Sequence, residues 1–354
     1  MFCQCVHHFG QPLRSETRED MQPTGTEVIL SVVAAGVCHS DLHVREGGYS
    51  LGHGRWMSYE ERGVKLPVVM GHETVGRIVA AGPEAGKLDP ARNYVIYPWC
   101  GCGNCDFCKT GDEQLCATPR FLGIHKDGGY ATQIRVPHPR YLFDIGDLDP
   151  QFAAPLACSG LTTYAAIKKI RDTVADHHPV VIGAGGLGLM CLQLLAAMGS
   201  KPAVVVDIDP TKREAAMKAG AHATVDPKAE DAIARIHDAC GGAPHAAIDF
   251  VGAESTAELG FNCLAKAGTL VTVGLFGGAA PWALPLIALR SAVIRGSYTG
   301  SLVDFAELME LARKGAINPI PTRKYPLAEA ENVLNMLEKG KVIGRAILDP
   351  ELKG

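Results

Sequence analysis

The strongest constraint on the fold is the run Val180-Val181-Ile182-Gly183-Ala184-Gly185-Gly186-Leu187-Gly188, which continues to Gly199 and then into Ala203-Val204-Val205-Val206-Asp207. The first apolar stretch follows His177-His178-Pro179 and reads as a buried strand. Glycines then permit a turn tight enough for phosphate oxygens to touch backbone N–H groups. Residues 186–198 keep helical spacing, Gly199 closes that helix, and the next apolar run ends in an acid. Strand, glycine turn, helix, strand and carboxylate follow one another within about thirty residues, the pattern of a dinucleotide fingerprint whose acid meets ribose hydroxyls.

The rest of the chain has two textures. Before about residue 155, short β-type runs at 6–10, 27–35, 74–81, 94–97 and 131–136 are separated by Gly and Pro, which reads as a β-rich domain. From about 160, strands at 180–182, 203–207, 223–226, 246–251, 269–274 and 292–297 alternate with helices at 186–198, 211–219, 229–239 and 255–264. Six strands with right-handed crossovers make an α/β domain, a doubly wound parallel sheet of two mononucleotide-binding halves. The tail adds helices near 302–314 and 327–337 and a strand at 342–348. A length of 354 residues suits two domains, and 47% hydrophobic residues leave ample core. The net charge of −4 gives no reason to expect nucleic acid or an anionic membrane as partner. The N-terminal residues lack a basic region followed by an apolar run, and no stretch reaches the roughly eighteen apolar residues of a membrane span. A cytoplasmic location is expected, so the twelve cysteines read as thiols and metal ligands rather than disulfides.

Cys102, Cys105, Cys108 and Cys116 are the most specific local signal. Thiolates at this spacing converge about 2.3 Å from a Zn²⁺ and fill a tetrahedron, leaving no position for substrate. Such a site stabilises a lobe; an iron–sulfur cluster is the alternative for spaced thiolates. Cys100 falls outside the spacing, and Cys3, Cys5, Cys191, Cys240 and Cys263 read as small buried hydrophobes. A second constellation is dispersed: Cys38-His39-Ser40-Asp41-Leu42-His43, Gly71-His72-Glu73, and Cys158 within Ala154–Tyr164. Two thiolates and an imidazole are one known ligand set for catalytic zinc, with water in the fourth position. Spacing alone does not bring these three together, and each also reads as an ordinary core residue.

Taken together, the glycine turn with Asp207, the four-cysteine lobe, Gly71-His72-Glu73 and Cys38-His39-Ser40-Asp41 resemble the zinc-dependent medium-chain alcohol dehydrogenases over essentially the whole chain. The resemblance implies a GroES-like catalytic domain over 1–158, an NAD-binding Rossmann domain over 159–299 and a segment 300–354 returning to the first. It implies two zinc ions and NAD as cofactors. Cys38, His72 and Cys158 would hold the catalytic zinc with Glu73 beside it, and Asp41 would orient His72. Ser40 would bond the substrate oxygen and His43 would pass its proton to solvent. His39 and Arg345 would meet the pyrophosphate, Thr162 and Val273 the nicotinamide, and Asp207 and Lys212 the adenosine ribose, with Gly183, Gly185, Gly186, Leu187 and Gly188 as the phosphate turn. Hydride transfer between an alcohol or carbonyl compound and NAD is the implied reaction. A polyol, threonine or formaldehyde dehydrogenase of the same family, or a non-catalytic nucleotide-binding redox sensor, would share these motifs. The apolar edge strand 292–298 suggests a homodimer or homotetramer. Residues 50–65 look like an insertion, expected either to form a lid that narrows the substrate pocket with Tyr49, using Trp56 and Tyr59 as cover and His53 or Arg55 as polar contacts, or to pack on another subunit. Pro98 or Trp99 would form another wall.

Overall fold

The computed structural model describes residues 1–352. Val28–Val37 is the spine of the first sheet, buried at eight of its ten positions because both of its faces are covered. It pairs antiparallel with Glu73–Ala81, Gln133–Val136 and Arg345–Asp349. Glu73–Ala81 carries the sheet on to Asn93–Ile96 and Leu142–Asp144, and Arg345–Asp349 carries it the other way to Thr322–Pro326. The last strand of the chain therefore lies inside a sheet whose other members come mostly from the first 150 residues. A smaller sheet joins Arg14–Thr17, Phe2–Val6 and Val68–Val69. The expected strand at 6–10 is corrected here to Phe2–Val6: the chain leaves the sheet after Val6 and turns at Gly10, whose φ is +72°.

The second sheet is six-stranded and wholly parallel, in the order Ala223–Val225, Val204–Val206, Val180–Ile182, Ala246–Asp249, Thr269–Thr272, Val293–Gly296. Val180–Ile182 and Val204–Val206 are continuous apolar runs because helices cover both faces of the sheet. The order reverses between Val180–Ile182 and Ala246–Asp249, and a crevice opens beyond the carboxyl ends of strands at such a point. Gly183 is the first residue beyond that edge. Two helices not foreseen from periodicity, His39–Glu46 and Ser159–Lys168, bring residues from the first sheet to the same crevice. Both are short: Ser159–Lys168 is buried at nine of its ten positions and has no polar stripe, whereas six of the eight residues of His39–Glu46 are polar and leave it no apolar stripe.

Candidate active site

Gly183 sits at φ +97°, a conformation that favours glycine. A Cβ at Gly188 would lie 1.9 Å from the Gly183 carbonyl oxygen, so the helix Gly186–Ala197 can start this close to the strand only with glycine there. Asp207 follows Val204–Val206 and braces the turn: Ala184 N–H donates to its Oδ2 at 2.7 Å and Asp209 N–H to its Oδ1 at 2.8 Å. Its remaining lone pairs face the crevice, which Lys212 also lines.

The dispersed constellation converges on the opposite wall. Cys38 ends the spine strand and caps helix His39–Glu46, where its N–H donates to Asp41 Oδ2 at 2.9 Å. His72 follows Gly71, whose φ of +94° and contact with the Tyr130 ring leave no room for a side chain. Cys158 caps helix Ser159–Lys168. One ligand atom from each of Cys38, His72, Glu73 and Cys158 lies within 4.8 Å of all the others, and all four residues are buried. Asp41 Oδ1 lies 3.0 Å from His72 Nδ1, and the Tyr130 hydroxyl donates to Asp41 Oδ2 at 2.7 Å. With Nδ1 engaged, His72 presents Nε2 to the two sulfurs, and that buried atom has no hydrogen-bond partner in the chain. A buried orphan nitrogen facing two thiols 3.9 Å apart and a carboxylate is a donor set that fits Zn²⁺.

Electrostatics couple this cluster to the glycine turn through Arg345. Its guanidinium lies 3.1 Å from Glu73 Oε1 and donates to the Val37 carbonyl at 3.3 Å. A Cβ on Gly186 would meet Arg345 Nε at 2.8 Å, and Nε has no partner of its own. A buried cation with a free donor beside backbone N–H groups fits an anionic group of a dinucleotide. Burial pushes Glu73 up to about 8, although Arg345 opposes the rise. A hydrogen bond from the Cys158 thiol holds Cys38 well below the usual thiol range.

Between the two walls lies a cleft of about 570 Å³, open to solvent at its mouth. Cys38, His39, Ser40, His43, Cys158 and Thr162 line it from one side. Gly183, Gly185, Gly186, Leu187, Gly188, Asp207, Lys212 and Val273 line it from the other, with Arg345 between. Asp41, His72 and Glu73 lie behind the wall, at most 1% exposed. Thr162 Oγ1 is buried without a partner. Burial pushes His43 down to about 4, so its imidazole is neutral at pH 7.

Tyr130, Ile124, Phe276 and Tyr298 belong to this arrangement and were not singled out from sequence. Tyr130 had one faint signal, the Gly128-Gly129 pair before it: a Cβ on Gly129 would lie 2.0 Å from Thr74 Oγ1.

Residues 48–58 form a hairpin, Gly48–Ser50 with Trp56–Ser58, that reaches across the cleft mouth; Gly278 N–H donates to the Ser50 carbonyl at 3.1 Å. Tyr49 and Trp99 line the cleft, and the Tyr49 and Tyr59 hydroxyls touch with the Arg62 guanidinium over both rings. Trp56, His53 and Arg55 are exposed and Tyr59 lies buried behind Tyr49, so none of these four lines the cleft. Pro98 is likewise not among the lining residues; its carbonyl accepts from Leu122 N–H.

Apart from the cleft, Cys102, Cys105, Cys108 and Cys116 form a second set within 4.8 Å. Sulfur separations are 3.4 Å for Cys105–Cys108, 3.8 Å for Cys105–Cys116 and 3.9 Å for Cys102–Cys108. Backbone N–H groups of Asn104 and Cys105 donate to Cys102 Sγ, and those bonds lower its pKa to about 6. Four converging sulfurs with N–H donors around them fit a closed zinc site.

Two family models match, the alcohol dehydrogenase GroES-like domain over residues 24–147 and the zinc-binding dehydrogenase over residues 186–314. An NAD-dependent alcohol dehydrogenase of Sulfurisphaera tokodaii is 38% identical over 342 residues, covering 96% of this chain and 97% of that one. Its namesake from Saccharolobus solfataricus is 39% identical over 344 residues, with the same coverage. The crystal structure of the alcohol dehydrogenase from Aeropyrum pernix superposes with a TM-score of 0.90 at 30% identity, covering 99% of this chain and 100% of that one. With the glycine turn and both ligand sets in one chain of this fold, the protein belongs to the zinc-dependent medium-chain alcohol dehydrogenase family.

Proposed function

We propose that this chain, an alcohol dehydrogenase that exchanges hydride between an alcohol or carbonyl compound and NAD, does so in the cleft between Cys38 and Gly183. The observation that carries the reading is the four-donor set Cys38, His72, Glu73 and Cys158 facing a dinucleotide turn across one crevice. When bound, zinc supplies a Lewis-acid charge for the substrate oxygen and NAD supplies the hydride acceptor. The chain's own residues do the rest. Asp41 and Tyr130 fix His72 by its Nδ1, so that only Nε2 is offered as a ligand. Ser40 receives the substrate's hydroxyl proton, and the neutral imidazole of His43 takes it on toward solvent. Because His43 is a weak base here, that proton does not rest on it. Trp99, Tyr49, Ile124 and Tyr298 exclude water around the reacting carbon. Thr162 and Val273 hold the nicotinamide end, His39 and Arg345 the pyrophosphate, and Lys212 the adenosine side.

Asp207 selects NAD: its carboxylate bonds ribose hydroxyls and repels the extra phosphate of NADP. At about 4 Å and an effective dielectric near 20, one charge pair is worth roughly 4 kcal/mol, an upper limit of about a thousandfold in preference. The test is a panel of primary, secondary, aromatic and polyol substrates with each coenzyme, read by reduced-nicotinamide absorbance. Turnover with NAD that Asp207→Ala shifts toward NADP supports the assignment; an unchanged ratio of the two efficiencies rejects it.

The edge strand Val293–Gly296 is exposed, and beside it Leu284 and Leu289 of helix Leu284–Arg290 are 78% and 73% exposed. An open apolar edge favours pairing with its twin across a two-fold axis, so a homodimer, or a dimer of dimers, is the reading. Sedimentation as a monomer at micromolar concentration overturns it. No helix among the described residues is long and apolar enough to cross a membrane.

A further inference from the structure

Cys3 and Cys5 alternate with Gln4 along Phe2–Val6, so both sulfurs lie on one face of the strand. On the neighbouring strand Glu16 pairs with Cys3, and its carboxylate joins them; on the other face Gln4 bonds Ser15 instead. The sulfurs are 3.5 Å apart, and Glu16 Oε2 is 3.6 Å from Cys5 Sγ. His7 Nε2 touches the other carboxylate oxygen. These separations match those within the two ligand sets above, where sulfur pairs lie between 3.4 and 3.9 Å. A tetrahedron with metal–sulfur bonds of about 2.3 Å has edges of about 3.8 Å. The expectation that Cys3 and Cys5 are small buried hydrophobes holds for their burial but not for their surroundings: each is fully buried, and their shared face meets a carboxylate and a guanidinium.

We propose that Cys3, Cys5 and Glu16, whose ligand atoms lie within 4.8 Å of one another, form a third metal site, one that takes Zn²⁺ and staples the N-terminal hairpin. None of these residues lines the catalytic cleft. Charge is balanced: two thiolates and a carboxylate around a divalent ion leave one negative charge, and Arg18 faces it. The Arg18 guanidinium donates to Cys5 Sγ at 3.2 Å, to Glu16 Oε2 at 2.8 Å and to Asp127 Oδ2 at 3.1 Å. That places it where N–H donors stand around the lobe sulfurs. Burial pushes the Cys3 and Cys5 thiols up, and the Cys158 thiol is also raised, first by its hydrogen bond with Cys38 and then by burial, so the shift does not separate this cluster from the catalytic one. Metal reaches the sulfurs past His7 and Glu16, whose side chains are 25% and 27% exposed.

The test uses the holoenzyme brought by mild chelation to two zinc ions per chain, kept reduced with a phosphine and titrated with Co²⁺. One further equivalent per chain is expected, with thiolate-to-cobalt absorption. The double variant Cys3→Ser, Cys5→Ser should lose that equivalent and its absorption while retaining wild-type turnover. Glu16→Gln keeps both thiols and the packing, so it tests the site even if the double variant fails to fold; it should weaken binding by about 10-fold or more. Absence of a saturable extra equivalent in the wild type overturns the proposal. So does equal uptake by the double variant, or unchanged affinity in Glu16→Gln.

Discussion

The lobe and the cleft hold four-donor sets of similar spacing but built by opposite means. In the lobe, the four cysteines fall within residues 102–116, and backbone N–H groups of the same short loops donate to the sulfurs. In the cleft, the donors come from three separate segments, Cys38 and Cys158 lie 120 residues apart, and a side-chain chain from Tyr130 through Asp41 to His72 does the aligning. The first is closed by four sulfurs. The second offers weaker or displaceable donors, among them Glu73, whose carboxyl burial has already pushed to about 8. Local closure suits a site that only stabilises; assembly from distant elements suits one that must share its position with a substrate.

The largest expected effect that separates the two is Cys38→Ser. Loss of a charge-stabilising ion worth about 4 kcal/mol in the transition state predicts a fall in turnover of about 10³-fold or more. Metal analysis should show one zinc fewer than wild type, with circular dichroism and NAD binding retained. Retained activity would mean that the cleft set is not the reactive one.

Next is Asp41→Asn, which leaves His72 free to rotate. Orienting partners of this kind are worth about 10- to 100-fold in metal affinity or activity. Competition with a chelator should release cleft zinc more easily by that factor and leave lobe zinc unaffected; equal loss from both sites breaks the distinction.

A smaller effect is expected for His43→Ala, about tenfold or less at neutral pH, because water can replace a terminal relay. The rate loss should shrink at high pH, where hydroxide accepts the proton directly. Stability carries a second signature. His43 is pushed from 6.5 to about 4 in the folded protein, so between those values the unfolded chain binds more protons. Its contribution is unfavourable there and grows as pH falls from 6.5 through 4. Replacing it should flatten the acid limb of the unfolding curve in that window, and an unaltered limb rejects the buried-neutral assignment.

The smallest effect on turnover belongs to Cys105→Ser. Activity at low temperature should stay within a few-fold of wild type, whereas the midpoint of thermal unfolding should drop on the order of 10 °C, because binding at a closed site is linked to folding. Calorimetry alongside zinc content checks this.

How much could be read in the chain follows the same division. The parallel sheet was legible because Val180–Ile182, Val204–Val206 and Ala246–Asp249 are unbroken apolar runs cut by glycines and acids. Helices His39–Glu46 and Ser159–Lys168 were not, since the first is mostly polar in sequence and the second is buried at nine of ten positions, so neither shows an amphipathic stripe. Hairpin Gly48–Ser50 with Trp56–Ser58 was read only as part of an insertion, without its strands, because these are three residues each, too short for alternation to register. Cys3 and Cys5 were read as small buried hydrophobes, and both are buried, but the polar groups facing them come from Glu16 on the paired strand and Arg18 just beyond it, which no local pattern reveals.

By itself, then, the sequence determined whatever a few consecutive residues can impose: the glycine turn, the alternation of strand and helix, and the four-sulfur lobe. Hydrogen-bond periodicity and short ligand spacings act over distances that the local chain already spans. Tertiary structure alone decided that His72 Nε2 faces two sulfurs from distant segments, that Arg345 links Glu73 to Gly186, and that Tyr130 holds Asp41. It also decided the protonation of Glu73 and His43, because desolvation depends on every element packed around a group and not on its neighbours in the chain.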